Sequence, residues 1–393
     1  MKEYPLRDAV LLETDVRAAF PGSPFDGEAA AAALRFHRSL PMYRKTPLVS
    51  LRSAARACGV REILLKDESS RFGLKAFKGL GGSYAVFRVL CGKLGLDPGK
   101  AVFGDLLTEE RRKACGEIVF CTATDGNHGR GVAWAARLFG CRAYVWLPAG
   151  SSEARRKAIE DAGAARAEIT DLNYDRTVAF AGRMAEENGW ILIQDTAWAG
   201  YETIPRRIIE GYLTMGAEAA EQLEGRVPTH VFLQAGVGAM AGGLLGYLAD
   251  RFAEREPVFT IVEPSAAACL YRSAGAGDGA PRSIPGDPVT IMAGLNCGTP
   301  CSITWPVIRD RARFYCACGD VISERAMRAL AHLPEGEAAV SGECGAVTFG
   351  AFWEIARDEA ARRALGIDRD SVILLFSTEG DTDPEGYARI VSG

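Results

Sequence analysis

The chain has little of several features that would place it in a specialised class. It has only 4 histidines in 393 residues, and none is spaced to complete a zinc site with its cysteines. No stretch reaches the ~18 consecutive apolar residues that a transmembrane helix requires. Its 46 basic and 50 acidic side chains give a formal charge of −4, and so no general attraction to nucleic acid or anionic membranes. We therefore expect no metal ion, no nucleic-acid partner and no membrane partner.

The composition also excludes fibrous and disordered classes. Apolar residues make up 48% and charged residues 24%, a balance typical of globular proteins, and 18 prolines are too few for a collagen-like chain. The first residues, MKEYPLRDAVLLETDV, carry acids within their only apolar run, which is not typical of a signal peptide. The 11 cysteines are typical of reduced, buried side chains, and any pairing of Cys269 with Cys297 stays open. We therefore expect a cytoplasmic globular protein.

Glycine is the residue in excess. The chain has 44 glycines, roughly 11% against the ~7% of an average protein, and they follow no fixed period. Glycine is favoured where the backbone turns tightly or approaches a ligand closely, and we infer that this fold has such places.

Short apolar runs alternate with helical patterns along the chain. The runs are nearly continuous in apolar residues, as strands buried on both faces are, and they span 62–66, 117–121, 143–147, 190–194, 230–234, 258–262 and 371–376. The helical patterns span 129–139, 152–161, 176–188, 240–252 and 324–332. This alternation predicts an α/β fold with mainly parallel sheets flanked by helices. The irregular stretches 95–116 and 275–287 are expected to be surface insertions.

Four segments that follow predicted strands carry unusual residues, and α/β proteins bind ligands at the carboxyl ends of their strands. The first is QAGVGAMAGG at 234–243, which begins a helix. Its glycines let backbone N–H groups converge on an anion at the helix N-terminus. A tight turn packed on the sheet is an equally good interpretation. Because the loop lies past mid-chain, it favours a small phosphorylated cofactor over a dinucleotide.

The second segment, 69–83, holds two lysines in glycine-rich, apolar surroundings. Lys75 and Lys78 both lie in it, away from obvious acids. A lysine in such surroundings can lose its proton and become a nucleophile. A solvated lysine on a helix face is the alternative interpretation, and it is the commoner one for an arbitrary lysine.

The third segment is TATDGNHG at 122–129, which follows a predicted strand and begins a helix. Hydroxyl, amide and backbone donors at a helix start form a natural carboxylate site. Asp125 adds a like charge to that site, so it is either a helix N-cap or a general base.

The fourth segment is FSTEGDTDP at 376–384, at the end of the last predicted strand. A hydroxyl there is placed to meet a heteroaromatic nitrogen. A polar, turn-rich strand end is the alternative interpretation, and it is favoured for this segment taken alone.

Together the four segments resemble a known family. Lys78 after Phe77, the Thr-x-Gly-Asn-His pattern at 124–128 and the loop at 236–243 resemble fold type II pyridoxal-phosphate enzymes, which are tryptophan synthase β-like. Within that group the strings at 122–129, 195–205, 292–298, 341–343 and 377–384 are similar to those of the diaminopropionate ammonia-lyases. The similarity extends from about residue 40 to the C-terminus, and several of these strings are specific to that family.

The resemblance implies a pyridoxal-phosphate cofactor bound covalently by Lys78, with Lys75 as the fallback. The backbone N–H groups implied to hold its phosphate are those of Gly236, Val237, Gly238, Ala239 and Met240. Asn127 would meet the cofactor's 3′-oxygen, and Ser377 or Thr378 its pyridine nitrogen. A neutral hydroxyl leaves that nitrogen largely unprotonated, which favours elimination over transamination.

The activity implied by the resemblance is α,β-elimination of D- and L-2,3-diaminopropionate to pyruvate and two ammonia. The residues implied to bind this amino-acid substrate are Thr124, Asp125, Gly126, His128 and Asp195. Lys78 would take the Cα proton from one face and Asp125 from the other, which would explain action on both isomers. Asp125 or Asp195 would hold the cationic β-amine, although a turn or N-cap role suits Asp195 about as well.

Two other hypotheses stay open. The first is a serine or threonine dehydratase of the same fold, against which Asp125 argues, because dehydratases usually carry a small apolar residue at that place. The second is a cofactor-binding or regulatory relative that has lost catalysis. The joint presence of Lys78, Asp125 and the glycine loop argues against it.

The resemblance also implies an architecture and an assembly. A large cofactor-binding domain is expected over 1–85 and 205–393, and a small domain over 86–204 would carry the loop for the substrate carboxylate. Members of the family are commonly homodimers, so we expect a homodimer.

Overall fold

The structure is a computed structural model that describes residues 1–15, 22–124, 126–286 and 288–393. The chain forms two compact units. Unit 1 consists of Met1–Gly27, Lys45–Ala76 and Met215–Gly393, and unit 2 consists of Glu28–Arg44 and Phe77–Thr214. Among the described residues, no helix has both the length and the apolar character needed to cross a lipid bilayer.

Strands and helices alternate along most of the chain. The strands are β1 (Lys2–Leu6), β2 (Ala9–Glu13), β3 (Leu48–Ser50), β4 (Glu62–Asp67), β5 (Val119–Ala123), β6 (Arg142–Leu147), β7 (Arg166–Ile169), β8 (Ile191–Leu192), β9 (His230–Gln234), β10 (Val258–Pro264), β11 (Phe314–Cys318) and β12 (Val372–Ser377). The helices are α1 (Gly27–Arg38), α2 (Arg52–Cys58), α3 (Lys78–Lys93), α4 (Glu109–Gly116), α5 (Asn127–Phe139), α6 (Glu153–Ala162), α7 (Tyr174–Asn188), α8 (Thr203–Gln222), α9 (Ala239–Arg251), α10 (Cys269–Gly275), α11 (Trp305–Arg311), α12 (Asp320–Ala331), α13 (Glu343–Arg357), α14 (Glu359–Leu365) and α15 (Pro384–Ser392).

Unit 1 is built on an eight-stranded sheet in the order β1-β2-β11-β10-β9-β12-β4-β3. The pairings from β11 through β4 are parallel, whereas the β1–β2 hairpin, its contact with β11 and the β3–β4 pair are antiparallel. Every residue of β9, β11 and β12 is buried, as expected for strands covered on both faces. Because β9 and β12 are parallel, the segments that follow them meet at one edge of the sheet.

Unit 2 is built on a four-stranded, wholly parallel sheet in the order β7-β6-β5-β8. The segment after β5 begins α5, and the segment after β8 begins with Ile193 and leads to α8. β5 and β8 are neighbours in the sheet, so their carboxyl ends also lie side by side. Unit 2 therefore presents its own pair of strand ends for binding.

The predicted α/β class, with mainly parallel sheets flanked by helices, is confirmed. Every predicted strand overlaps an observed one, but the run at 190–194 yields only the short β8. The prediction that 95–116 is an irregular surface insertion is wrong in part. Phe103 and Leu106 are buried, and the last residues of the stretch form α4. The domain bounds 1–85 with 205–393 and 86–204 stay a prediction; the compact units differ from them over 28–44, 77–85 and 205–214.

Candidate active site

Lys78 and Asp195 form an ion pair in unit 2. Lys78 is the first residue of α3, and its Nζ lies 2.5 Å from Oδ2 of Asp195. Asp195 comes three residues after the end of β8, so the two partners stand 117 positions apart in the chain. Both side chains are largely buried, with 20% and 14% of their surface exposed. The structure thus brings together two of the three predicted catalytic residues.

The pair keeps Asp195 ionised. Burial raises the pKa of this carboxyl, but the charges of His128 and Lys78 and the hydrogen bond from Lys78 outweigh it and lower the pKa to about 2. Asp195 is therefore an anion at neutral pH, and it balances an adjacent ammonium group.

His128 is buried on α5 beside the same carboxylate. Its Nε2 lies 2.7 Å from the carbonyl oxygen of Ile193, and since a carbonyl only accepts, Nε2 carries the hydrogen. Its Nδ1 lies 3.7 Å from Oδ2 of Asp195. The ring therefore links α5 to the segment after β8 and supports Asp195. Its predicted part in substrate binding stays a prediction.

The segment between β5 and α5 is folded around Thr124. The Oγ1 of Thr124 accepts hydrogen bonds from the backbone N–H groups of Gly126 and Gly129, at 2.9 Å and 3.0 Å. A hydroxyl that accepts in this way can still donate its own hydrogen. Asn127 is the first residue of α5, at the positive end of the helix dipole. Asp125, predicted as a second base, lies outside the described residues.

Glycines allow α3 and α5 to approach until their backbones touch. A Cβ added to Gly131 would lie 3.0 Å from the carbonyl oxygen of Lys78, and one added to Gly82 would lie 3.0 Å from the backbone of Gly131. Any side chain at either position would force the helices apart. This close packing sets the first turn of α3, and with it Lys78, against α5.

The glycine loop of unit 1 joins β9 to α9. The residues predicted to hold a phosphate lie in this loop and in the first turn of the helix: Gly236, Val237, Gly238, Ala239 and Met240. Gly238 has a φ of +89°, and a Cβ there would lie 2.8 Å from Ile308. The first N–H groups of a helix have no partner within it, and the helix dipole adds positive potential there. The loop therefore has the form of an anion cradle.

Two hydroxyls mark the end of β12 at the same edge of the sheet. Ser377 donates a hydrogen bond of 2.7 Å to Ser341, and Thr378 accepts one of 2.9 Å from the side-chain amide of Gln234. Gln234 is the last residue of β9, so this amide ties the two strand ends together. A Cβ at Gly345 would lie 2.7 Å from the Ser341 hydroxyl. Which hydroxyl meets a ring nitrogen stays a prediction.

Lys75, the fallback for the cofactor lysine, has different surroundings. It belongs to unit 1, its side chain is 44% exposed, and its Nζ lies 2.8 Å from Oδ2 of Asp381. A half-exposed ion pair of this kind is typical of a surface lysine. The geometry therefore favours Lys78 over Lys75.

Ser341, beside Ser377, and Tyr212, beside Lys78, were given no role in the sequence analysis. Ser341 lies in one of the family-specific strings and accepts from Ser377, so the string was a usable signal. Tyr212 of α8 packs against Phe77, with ring centroids 4.7 Å apart, and Lys78 Nζ lies 6.0 Å from its ring centroid. No motif marks Tyr212. Among the described residues, no group of three or more His, Cys, Asp or Glu is arranged to hold a metal ion.

Comparisons with known proteins identify the family. A model of the pyridoxal-phosphate dependent enzymes matches residues 40–378. A diaminopropionate ammonia-lyase of Salmonella typhimurium is 46% identical over 94% of this chain and 93% of its own length. The crystal structure of the holo enzyme of that name from Escherichia coli has a TM-score of 0.89 and 42% identity, covering 99% of this chain and 98% of the other. The same enzyme, crystallised with an aminoacrylate-PLP azomethine reaction intermediate, has a TM-score of 0.88, again with 42% identity and the same coverage. The chain therefore belongs to the diaminopropionate ammonia-lyase family of pyridoxal-phosphate-dependent enzymes.

Proposed function

We propose that this chain is a pyridoxal-phosphate-dependent carbon–nitrogen lyase that converts D- and L-2,3-diaminopropionate, with one water, to pyruvate and two ammonia. The observation that carries the proposal is the Lys78–Asp195 ion pair, formed at the start of α3 in a chain 46% identical to an ammonia-lyase. The alternative, a serine or threonine dehydratase, is less well supported. The relatives that are 44–46% identical over more than nine tenths of both sequences are named diaminopropionate ammonia-lyase.

The described residues fit a phosphorylated pyridine cofactor. A phosphate would suit the loop at 236–240, because the first N–H groups of α9 have no partner within the helix and the helix dipole favours an anion there. A ring nitrogen suits the neutral hydroxyls of Ser377 and Thr378, and Asn127 offers an amide to the 3′-oxygen. When bound, the cofactor supplies an electron sink that stabilises negative charge on the substrate Cα.

Lys78 has two tasks in this proposal. Its amine holds the cofactor, and once released by the substrate amine it accepts the Cα proton as a neutral base. The Cβ–N bond then breaks, ammonia leaves, and water hydrolyses the released aminoacrylate to pyruvate and the second ammonia. Lys78 must lose its charge before either task, so its partners set the pH at which it acts.

The pKa of Asp195 depends on the charge of Lys78. The Lys78 ammonium is one cause of the lowered pKa of Asp195, so removal of that charge raises the pKa of the carboxyl. The Asp195 carboxylate can then form an ion pair with another cation, such as the β-ammonium group of diaminopropionate. Holding that group as an ammonium makes it a better leaving group. Asp195 therefore selects a substrate with a cationic β-substituent over serine.

The substrate carboxylate is assigned to the segment between β5 and α5. Thr124, Gly126 and His128 shape this segment, and the N-terminus of α5 favours an anion there. Asp125 is proposed as the base for the isomer whose Cα proton faces away from Lys78.

The test measures pyruvate and ammonia from each isomer. We expect pyruvate and two ammonia from both isomers, each with a higher kcat/KM than serine, whereas a serine dehydratase would favour serine. Asp125→Asn should lose most of its activity on one isomer, and Asp195→Asn should lose activity on diaminopropionate more than on D-serine. Equal loss on both isomers in Asp125→Asn would contradict the two-base assignment. A higher kcat/KM for serine than for either isomer of diaminopropionate would contradict the proposed substrate.

We further infer a homodimer, which is the assembly that the family resemblance implies. The composition and charge support a cytoplasmic protein with a small-molecule partner and no nucleic acid. Light scattering on the purified chain tests the first point: twice the 42.1 kDa mass of one chain is expected, and the monomer mass would contradict it.

A further inference from the structure

Apart from Lys78, the buried hydroxyl of Tyr212 has no hydrogen-bond partner among the described residues. Its side chain is 1% exposed and packs beside Phe77 and Lys78. Two other tyrosines of unit 2 bind protein groups with their hydroxyls. That of Tyr84 accepts from Arg88 at 2.9 Å, and that of Tyr201 donates to the carbonyl of Leu192 at 2.8 Å. A buried hydroxyl costs free energy unless a partner offsets the cost, and phenylalanine would fill the same space without that cost.

Glycine makes room for this ring. A Cβ added to Gly81 would lie 2.5 Å from Cε1 and 2.8 Å from Cζ of Tyr212, and one added to Gly211 would lie 2.6 Å from the carbonyl oxygen of Leu80. The ring therefore lies directly against the first turns of α3, which begin at Lys78. Two glycines on two helices are needed to place the hydroxyl there, so the placement is specific.

The charges around Lys78 show what the hydroxyl can do. Among the described residues, the titratable groups beside Lys78 include Tyr212 on α8, Asp195 after β8 and, across that carboxylate, His128 on α5. Burial raises the pKa of Tyr212, and the opposing effect of the Lys78 charge is smaller, so the phenol stays protonated. A carboxylate can only accept from Lys78, which suits the ammonium. A protonated phenol can also donate to the lone pair of a neutral amine.

We propose that Tyr212 is a positioning residue for Lys78, whose hydroxyl donates a hydrogen bond to the neutral amine and holds it for reaction. Asp195 and Tyr212 then serve the two protonation states of one lysine. This inference rests on the proposed function, because it assumes that Lys78 is the lysine that binds the cofactor.

The experiment measures how fast the cofactor-free chain combines with added pyridoxal phosphate as the pH is varied, followed by the visible absorbance of the lysine-linked cofactor. Tyr212→Phe removes the hydroxyl alone. Since the neutral amine loses a donor, the midpoint of the pH dependence should rise by about half a unit, so that reaction below the midpoint slows about threefold. Tyr84→Phe is the matched control, because it removes a buried hydroxyl bound to Arg88, and it should keep the wild-type midpoint.

A second variant covers failure of Tyr212→Phe to fold. With 3-fluorotyrosine at position 212, the ring is kept and the hydroxyl becomes a stronger donor, so the midpoint should fall. An unmoved midpoint in either Tyr212 variant, or an equal shift in Tyr84→Phe, overturns the proposal. Lys78→Ala separates it from the proposed function: if that variant still gains the band, the lysine assignment is wrong. If it loses the band while the Tyr212 variants keep the wild-type midpoint, only the role of Tyr212 is wrong.

Discussion

Lys66 of unit 1 and Lys78 of unit 2 both pair with carboxylates, but their surroundings differ. Lys66 of unit 1 is fully buried, and its Nζ donates to the carbonyl of Thr46, to Glu218 Oε2 and to Gln222 Oε1 at 2.7, 2.7 and 2.8 Å. An ammonium has three hydrogens, and here all three are bound. Burial lowers the pKa of Lys66, whereas the charges of Glu68 and Glu218 and the three hydrogen bonds favour the cation.

Lys78 of unit 2 pairs with Asp195. Its side chain is 20% exposed and lies beside the ring of Tyr212.

The surroundings of Lys66, in contrast, include a second cation. Arg71 donates to Glu68 and Glu218, and together with Lys66 it holds the pKa of the Glu218 carboxyl below its ordinary value against the effect of burial. The comparison teaches that the oxygens around a lysine, rather than its burial, decide whether it serves the fold or the chemistry.

The largest expected effect comes from removing the reactive lysine. Lys78→Ala should abolish the cofactor absorbance band and lower pyruvate formation at least ~10³-fold, because the nucleophile and base is lost. Lys75→Ala, which removes the half-exposed partner of Asp381, should keep both. Absorbance spectra and pyruvate assays test which lysine binds the cofactor. If Lys75→Ala rather than Lys78→Ala lost the band, Lys75 would be the cofactor lysine.

Removing the structural lysine should affect stability. Lys66→Met leaves buried carboxylates with one cation fewer, and we expect the free energy of unfolding to fall by about 3–5 kcal/mol. Lys45→Met is the matched control. Lys45 pairs with Glu221 where both side chains are more than a third exposed, and its loss should cost about 0–1 kcal/mol. Urea unfolding measures both, and equal losses would remove the distinction between the two environments.

The ion pair between Lys78 and Asp195 should make the free energy of unfolding depend on pH in the acid range. The pKa of Asp195 in the folded chain, about 2, lies below its ordinary value of 3.8, so the ionised carboxyl stabilises the fold at neutral pH. This contribution is lost as the pH falls from about 4 to about 2, and it amounts to about 2 kcal/mol. Urea unfolding of the cofactor-free chain at several pH values should show a weaker pH dependence in Asp195→Asn. The same slope in both proteins would mean that the pair adds nothing.

The smallest effect is expected at Tyr201, which supports the segment carrying Asp195. Its hydroxyl donates to Leu192 and accepts from the backbone of Gln194, both at 2.8 Å. Tyr201→Phe should lower the free energy of unfolding by about 1 kcal/mol. Tyr144→Phe is the control, because that hydroxyl forms no hydrogen bond with a described residue. Thermal or urea unfolding measures both, and no difference between them would show that Tyr201 is unimportant.

Much of the fold could be predicted, because buried strands and amphipathic helices have local patterns. The run at 230–234 matches β9 residue for residue, and the pattern at 240–252 matches α9 to within one residue at each end. The hairpin β1–β2 and the strands β3, β7 and β11 were missed. β1 carries charges and a proline and buries only Tyr4, which is typical of an edge strand, and β11 is a short apolar run with two cysteines.

The candidate site was predicted as four separate segments, and the pairing between them was not. Asp195 was expected to meet the substrate amine, and nothing in the sequence placed it 2.5 Å from Lys78. The role of His128 beside Asp195 was missed for the same reason. Spacing along a strand or helix is a local property, whereas the contact of β5 with β8 depends on the path of the whole unit.

Local sequence determined the α/β class and the glycine loop after β9, because each depends on neighbours within a few residues. The resemblance of the motifs to a known family implied Lys78 as the candidate nucleophile, with Lys75 left open. Only the tertiary structure decided that Asp195, 117 positions away, is the counter-ion of Lys78, and that the hydroxyl of Tyr212 lies beside them. The physical reason is that a lysine's charge state depends on which oxygens the packing of α3, α5 and α8 brings to its nitrogen. Glycines 81, 82, 131 and 211 permit that packing, and their purpose is visible only once the helices are in contact.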